Sequence, residues 1–222
     1  MSLLLRAIVA SADQRIADDA GLVAVASARV AALASPWERA RAASEPELLD
    51  HHRIVQAVFE RVACLPARFG SVFADESALR ARLLEREDEL ASRLAALGHR
   101  CELAITCAWR DTGSSLVAPR EALASGRAYL ERGLERSRAR RTREQRAGEI
   151  VDRLLAELPV DRAFIRHEAC PRPAVAVSMS VLVTRDEIGE ITSRLERLGA
   201  RLPDVTTVVQ GPWAPYTFAV SA

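Results

Sequence analysis

Lysine is missing from this 222-residue sequence, so its 31 basic residues are all arginine; set against 30 acidic residues they leave a net charge of +1. That balance excludes a global field drawing the chain to nucleic acid or to an anionic membrane. Arginine without lysine is the signature of GC-rich coding, and its physical consequence is a preference for planar, forked ion pairs. Cysteine is scarce. Cys64, Cys101, Cys107 and Cys170 never fall at C-x-x-C spacing, which argues against a zinc site or a redox pair and predicts reduced thiols in a cytoplasmic protein.

Long hydrophobic runs are lacking too. The opening "MSLLLRAIVASAD" is interrupted by Arg6 and has no basic leader, so it reads as a first strand and not as a signal peptide. The charge-free stretch from Val205 to Ala222 is broken by Gly211, Pro212 and Pro215, so no membrane span is predicted. Phosphate loops, dinucleotide fingerprints, nucleophile elbows and H-E-x-x-H are all missing. His52, beside His51, is the nearest approach to a general base. Its place on an apolar helix face reads as a core or interface histidine. The expectation is a protein that is not an enzyme, with no catalytic residue, no metal and no cofactor.

Ordinary globular composition, 49% hydrophobic and 27% charged, predicts a folded chain with room for two domains. Leu3 to Ala10 and Leu22 to Ser27 are short apolar runs suited to buried strands. Ser44 and Glu47 form a capping box before a helix whose face is Leu48, His52, Val55, Phe59 and Val62. Asp75 caps a second helix faced by Leu79, Leu83, Leu90, Leu94 and Leu97 and closed by Gly98. "CELAITCAW", residues 101–109, alternates as a strand.

A long helix is predicted from near Pro119 to about Leu158, packed by Leu123, Leu130 and Leu134 early and by Ile150, Leu154 and Leu158 late. Its middle, "ERSRARRTREQR", has no apolar face. A short strand follows around Val160 to His167. In the next strand, Val175, Val177, Met179, Val181 and Val183 alternate with a nearly bald face of Ala174, Ala176, Ser178 and Ser180. Thr184 and Glu187 cap a helix that Gly199 stops, and "VTTVV" is the last strand. From Cys101 the order is thus strand, helix, strand, strand, helix, strand.

The predicted fold class is α+β in two domains. Residues 1–112 form an N-terminal α+β domain, and residues 113–222 a C-terminal ferredoxin-like domain (βαββαβ, antiparallel sheet, helices on one face). The boundary falls near "DTGSS", and the strand 101–109 fits either domain.

Three segments stand out as surfaces. Glu135 to Arg146 holds six arginines, Arg138 and Arg141 among them, against two glutamates. Without interleaved aromatics it reads as a solvated face or a protein-docking arm, and no nucleic-acid partner is predicted. In "GPWAPYTF", Gly211 and Pro212 should break the preceding strand, leaving Trp213, Tyr216 and Phe218 on a stiff ribbon that suits core closure and interface equally. The connector "CLPARFGSVF" is apolar where connectors are usually polar. Leu65 before Pro66 is biased to extended geometry, and Gly70 permits a turn, so Arg68 and Phe69 point to opposite sides. Phe69 and Phe73 should lock it onto the two Leu-rich helices, while Arg68 either pairs with a buried carboxylate or faces a partner.

"LPARFGSVFADE" before a Leu-faced helix, "GRAYL" opening a long Arg/Glu-rich helix, the Gly21 to Val25 strand and the terminal "GPWAPYTF" together resemble the gas vesicle F/L protein family. One departure is "LLRAIV" in the first strand, where the family commonly carries a Tyr-Gly pair. The resemblance leaves F-like and L-like membership open. It implies an accessory or minor structural protein needed for gas vesicle assembly, contacting the hydrophobic main shell protein and other gas vesicle proteins, cytoplasmic and vesicle-associated. Arg68, Phe69, Gly70, Arg138, Arg141, Trp213, Tyr216 and Phe218 are the candidate protein-binding residues. The competing reading is a ferredoxin-like regulatory module that binds a small ligand or nucleic acid.

Overall fold

The computed structural model describes residues 1–38, 44–110 and 126–219. The "DTGSS" boundary, Pro119 and Leu123 lie outside the described residues, as do the side chains of 126–129 and 131. The chain forms two compact units, residues 1–102 with 182–185 and 212–222, and residues 103–181 with 186–211.

In the first unit, strand β1 (Ser2–Ala10) is central to a five-stranded antiparallel sheet. Its neighbours are β3 (Val30–Trp37) on one side and, on the other, two short strands cut from the connector, β4 (Cys64–Pro66) and β5 (Val72–Phe73); β2 (Val23–Ala26) pairs with the far side of β3. The connector is therefore a sheet edge, turned at Gly70, whose φ of +90° suits glycine. Strand β3, "VAALASPW", has alanine and proline where strands favour β-branched residues, so its propensity is poor. It forms because residues 30–34 are fully buried between neighbours.

Helix α1 (Ile16–Ala20) stops at Gly21, and α2 (Glu45–Arg61) opens with the N–H and hydroxyl of Ser44 both donating to Glu47 Oε2 at 2.9 Å. The buried face of α2 is His51, Val55, Val58 and Phe59, with Leu48 half exposed. The face thus centres on His51 and not on His52. The Leu-faced helix is two pieces, α3 (Glu76–Glu85) and α4 (Glu87–Leu97), hinged at Arg86 but in phase, so all five leucines are buried.

The second unit's antiparallel sheet is ordered β7-β8-β6-β9, from β6 (Cys101–Trp109), β7 (Ile165–Arg172), β8 (Val175–Val183) and β9 (Val205–Trp213). Helices α5 (Gly126–Glu157) and α6 (Ile188–Ala200) complete it. Ile150, Leu154 and Leu158 are buried as their spacing predicts, together with Val177, Met179 and Val181 of β8. Leu130 and Leu134 are exposed, against the expectation that they pack. From Leu134 to Thr142 every side chain of α5 is exposed, as a segment with no apolar face requires.

Three further expectations change. Strand β9 runs on through Gly211 and Pro212 to Trp213, because an edge strand tolerates a proline that lacks an N–H and Gly211 absorbs a φ of +129°. Gly199 does not stop α6; it lies inside it, where a Cβ would come within 3.2 Å of the Thr207 side chain. The predicted strand near Val160 is a 3-10 turn at Arg162–Phe164, with β7 beginning at Ile165.

Arg146 of α5 grips the turn before β9 in a forked pair, Nε to Asp204 Oδ2 at 2.7 Å and Nη2 to Oδ1 at 3.0 Å. The guanidinium holds the Asp204 carboxyl below the usual range. Its depressed pKa makes this a contribution present above about pH 4 and lost as pH falls further. Asp204→Ala should therefore cost about 1 kcal/mol at neutral pH, the geometry being partly solvent-screened. The difference from the parent should vanish in unfolding titrations carried to acid pH.

Candidate functional site

Three of the eight candidate residues, Phe69, Trp213 and Tyr216, meet on α2. Its residues His51, His52 and Gln56 bind the connector and the C-terminal ribbon. His51, 1% exposed, has Nε2 2.9 Å from the Ala67 carbonyl, so Nε2 carries the proton and donates. Phe69 packs edge-on against the His51 ring at 5.4 Å and against Trp37 at 6.1 Å between centroids. Phe69 is thus a wedge between α2 and β3. Arg68, one residue earlier, points outward and is exposed. No carboxylate among the described residues pairs with it; its carbonyl accepts from the N–H and hydroxyl of Ser71, which closes the turn at Gly70. Of the two alternatives for Arg68, the buried carboxylate is not used.

The ribbon is held from the neighbouring turn of α2. His52 lies 5.2 Å from the Trp213 ring and 6.0 Å from that of Tyr216. The Gln56 amide acts as a strand would, donating to the Pro212 carbonyl and accepting from the Ala214 N–H, both at 3.1 Å. Further on, buried Glu102 accepts from the Thr217 N–H at 2.8 Å and from its hydroxyl at 2.5 Å, and caps the short helix α7 (Tyr216–Ala219). Trp213, Tyr216 and Phe218 are each partly exposed. Both connector and ribbon are therefore fixed contours, each with an aromatic anchor inside and surface left outside. Arg138 and Arg141 belong to the other unit, exposed on α5.

Sequence reasoning missed the cation beneath this arrangement. Arg6 sits in the middle of β1, 5% exposed, where the β1–β3 register slips between Leu5 and Ala7. Its Nε donates to Ser35 Oγ at 2.9 Å and its Nη2 lies 3.6 Å from Asp50 Oδ2. Burial lowers its pKa while Asp50 offsets part of that. Nη1, His51 Nδ1 and the Tyr216 hydroxyl are buried with no partner among the described residues. Burial raises the Tyr216 phenol, and it pushes the Cys64 thiol up to about 12, which leaves that thiol inert. The available signal was a lone charge inside an apolar strand; Trp37, Gln56 and Glu102 gave no sequence signal at all.

Burial also lowers the pKa of His51. The unfolded chain then binds more protons than the folded one below about pH 6.5, so stability should fall as pH drops through that value, by at most about 1.4 kcal/mol per pH unit. His51→Gln keeps an N–H for Ala67 and should flatten the slope in thermal unfolding measured at stepped pH. At neutral pH, Asp50→Ala should cost about 1–2 kcal/mol by stranding the guanidinium. Arg6→Met, which removes the charge and keeps the bulk, should cost less in the same assay.

Comparison with known proteins gives this arrangement a setting. The family described as gas vesicle synthesis protein GvpL/GvpF matches residues 7–220. "Gas vesicle protein L" of Streptomyces sp. (strain CB03234) is 29% identical over 181 residues, covering 76% of this chain and 67% of that protein. The fold is similar to the crystal structure of the gas vesicle protein GvpF from Anabaena sp. PCC7120, with a TM-score of 0.76 at 16% identity over 100% of this chain and 97% of that one. It is also similar to GvpF from Microcystis aeruginosa, with a TM-score of 0.72 at 17% identity over 99% of each chain. A match spanning both sheets, the connector and the ribbon places this chain in the gas vesicle GvpL/GvpF family.

Proposed function

We propose that this chain is a gas vesicle assembly protein that works by binding and catalyses no reaction. Its partners are the hydrophobic shell protein and other gas vesicle proteins, and it works in the cytoplasm at the forming vesicle. The family match over residues 7–220 is the observation that carries this reading. The geometry supports the binding part. Subunits of a wall with a gas-facing side must carry apolar surface before they assemble, and such surface aggregates unless a partner covers it. Arg68 and the outer sides of Trp213, Tyr216 and Phe218 are held on contours fixed in advance, which lowers the ordering cost of association. On α5, exposed Arg138 and Arg141 have no ion pair among the described residues and are open to an acidic partner.

The ferredoxin-like reading of the second unit belongs to the same proposal. It is supported by the element order β6-α5-β7-β8-α6-β9 and the strand order β7-β8-β6-β9.

The test is complementation of gas vesicle formation in a host that lacks its own copy, combined with co-purification of the shell protein. Arg68→Ala should fold with an unchanged melting temperature. It should weaken co-purification by roughly 30-fold if Arg68 anchors an interface, about 2 kcal/mol. Normal vesicle yield without the chain, or undiminished binding by Arg68→Ala and by the Arg138→Ala/Arg141→Ala pair, would remove the proposal.

A further inference from the structure

The outer edge of β9 stands apart from the other sheet edges. Strand β7, at the opposite edge of the same sheet, is guarded by Arg166, His167, Glu168, Pro171 and Arg172 and kinked at Cys170, whose φ is +51°. In the first unit the edge strands are short, four residues in β2, three in β4 and two in β5. From Val205 to Gln210, β9 has neither a charge nor a proline, and Val208 is 45% exposed. Charges, prolines, bulges and shortness are the devices that keep an edge from pairing. Among the described residues, this stretch has none of them.

Two contacts fix which backbone groups face outward. The Arg110 N–H donates to the Asp204 carbonyl at 3.0 Å, so Asp204 turns its main-chain groups toward β6. Cys107 Sγ lies 3.6 Å from Thr207 Oγ1, which places those two residues opposite each other. By strand alternation, Thr206, Val208 and Gln210 also bond toward β6. Thr207 and Val209 turn their N–H and C=O groups to the open side. Beside them runs a groove of about 460 Å³, lined by Leu195, Glu196 and Gly199 of α6, by Thr207 and Val209, and by Arg110.

We infer that this edge pairs antiparallel with β9 of a second copy of the chain, about a two-fold axis at Thr207, extending the sheet across two molecules. The register argues for a copy of the same strand. With Thr207 opposite the partner's Thr207, each gives its N–H to the other's carbonyl. Val205 then faces the partner's Val209, and Thr206 the partner's Val208. The pairs with exposed or half-buried side chains, Thr206 with the partner's Val208 and Thr207 with its own copy, are uncharged and β-branched, the combination that stabilises cross-strand contacts, while Val205 is already buried in its own chain. Of the valines on the helix side, half-buried Val209 borders the groove. Gly199 keeps α6 close to the sheet there, so the floor is already shaped. This inference is independent of which gas vesicle protein the chain binds.

Sedimentation equilibrium of the full chain across the micromolar range tests it. The weight-average mass should rise from 24.3 kDa towards twice that value. Thr207→Pro removes one outward N–H and leaves the main-chain bonds to β6 in place, though it loses the hydroxyl contact with Cys107, and the double variant Thr206→Lys/Val208→Lys sets like charges opposite each other. Both should stay at one chain's mass, with melting temperature and circular dichroism unchanged for the double variant, whose sites are exposed. A parent chain that stays monomeric throughout the range overturns the inference. So does a double variant that dimerises as readily as the parent. A monomeric parent that instead takes up a synthetic peptide copying residues 205–210 would assign the edge to a foreign strand, and it would equally overturn the self-pairing.

Discussion

A positive charge buried in the middle of a sheet organises the first unit. Arg6 cannot leave β1 without unravelling the central strand, and an unpaired guanidinium in that position is costly. The answer comes from two directions, a hydroxyl from β3 and a carboxylate from α2. Asp50 therefore ties down one specific point of α2 over the sheet, and the next residues of that helix inherit fixed positions. His51 reaches the connector, His52 and Gln56 reach the ribbon, and the β1–β3 register slips at the arginine itself.

The consequence is a unit in which irregular segments are as firmly placed as the strands. Three of the ribbon's main-chain groups are satisfied by side chains, two by the Gln56 amide and one by the Glu102 carboxylate, where a regular element would use a ladder. The connector divides its work between β4 and β5 at the sheet edge and the Phe69 wedge between Trp37 and His51. Shape held this way suits a protein that recognises others by contour, because little freedom is left to lose on association.

The second unit follows a different rule. Helix α5 spends its C-terminal turns in the core and carries its arginine-rich middle in water, so one element serves both as packing and as an exposed charged rod. Its sheet is guarded at β7 by charge, proline and a kink and left plain over residues 205–210 of β9. An edge that is neutral, β-branched and flanked by a groove is a surface for pairing, in contrast to the cationic face of α5.

The sequence by itself determined the elements whose signals are local. Capping residues placed α2 and α3, alternation placed β6 and β8, and leucine spacing named the buried faces of α3, α4 and the end of α5. The connector, the opening of α5, the Gly21 to Val25 strand and the ribbon together also suggested the family. Tertiary structure decided what depends on neighbours far along the chain. β3 is a strand only because it lies between β1 and β2, since its alanines and proline have no preference for one. His51, not His52, faces the interior because Arg6 and Ala67 draw that side of α2 inward. Leu130 and Leu134 are apolar at helical spacing yet meet no core, and Gly211 and Pro212 extend a strand they were expected to end because it is at an edge. Periodicity reports which residues could share a face; what that face meets depends on the rest of the chain.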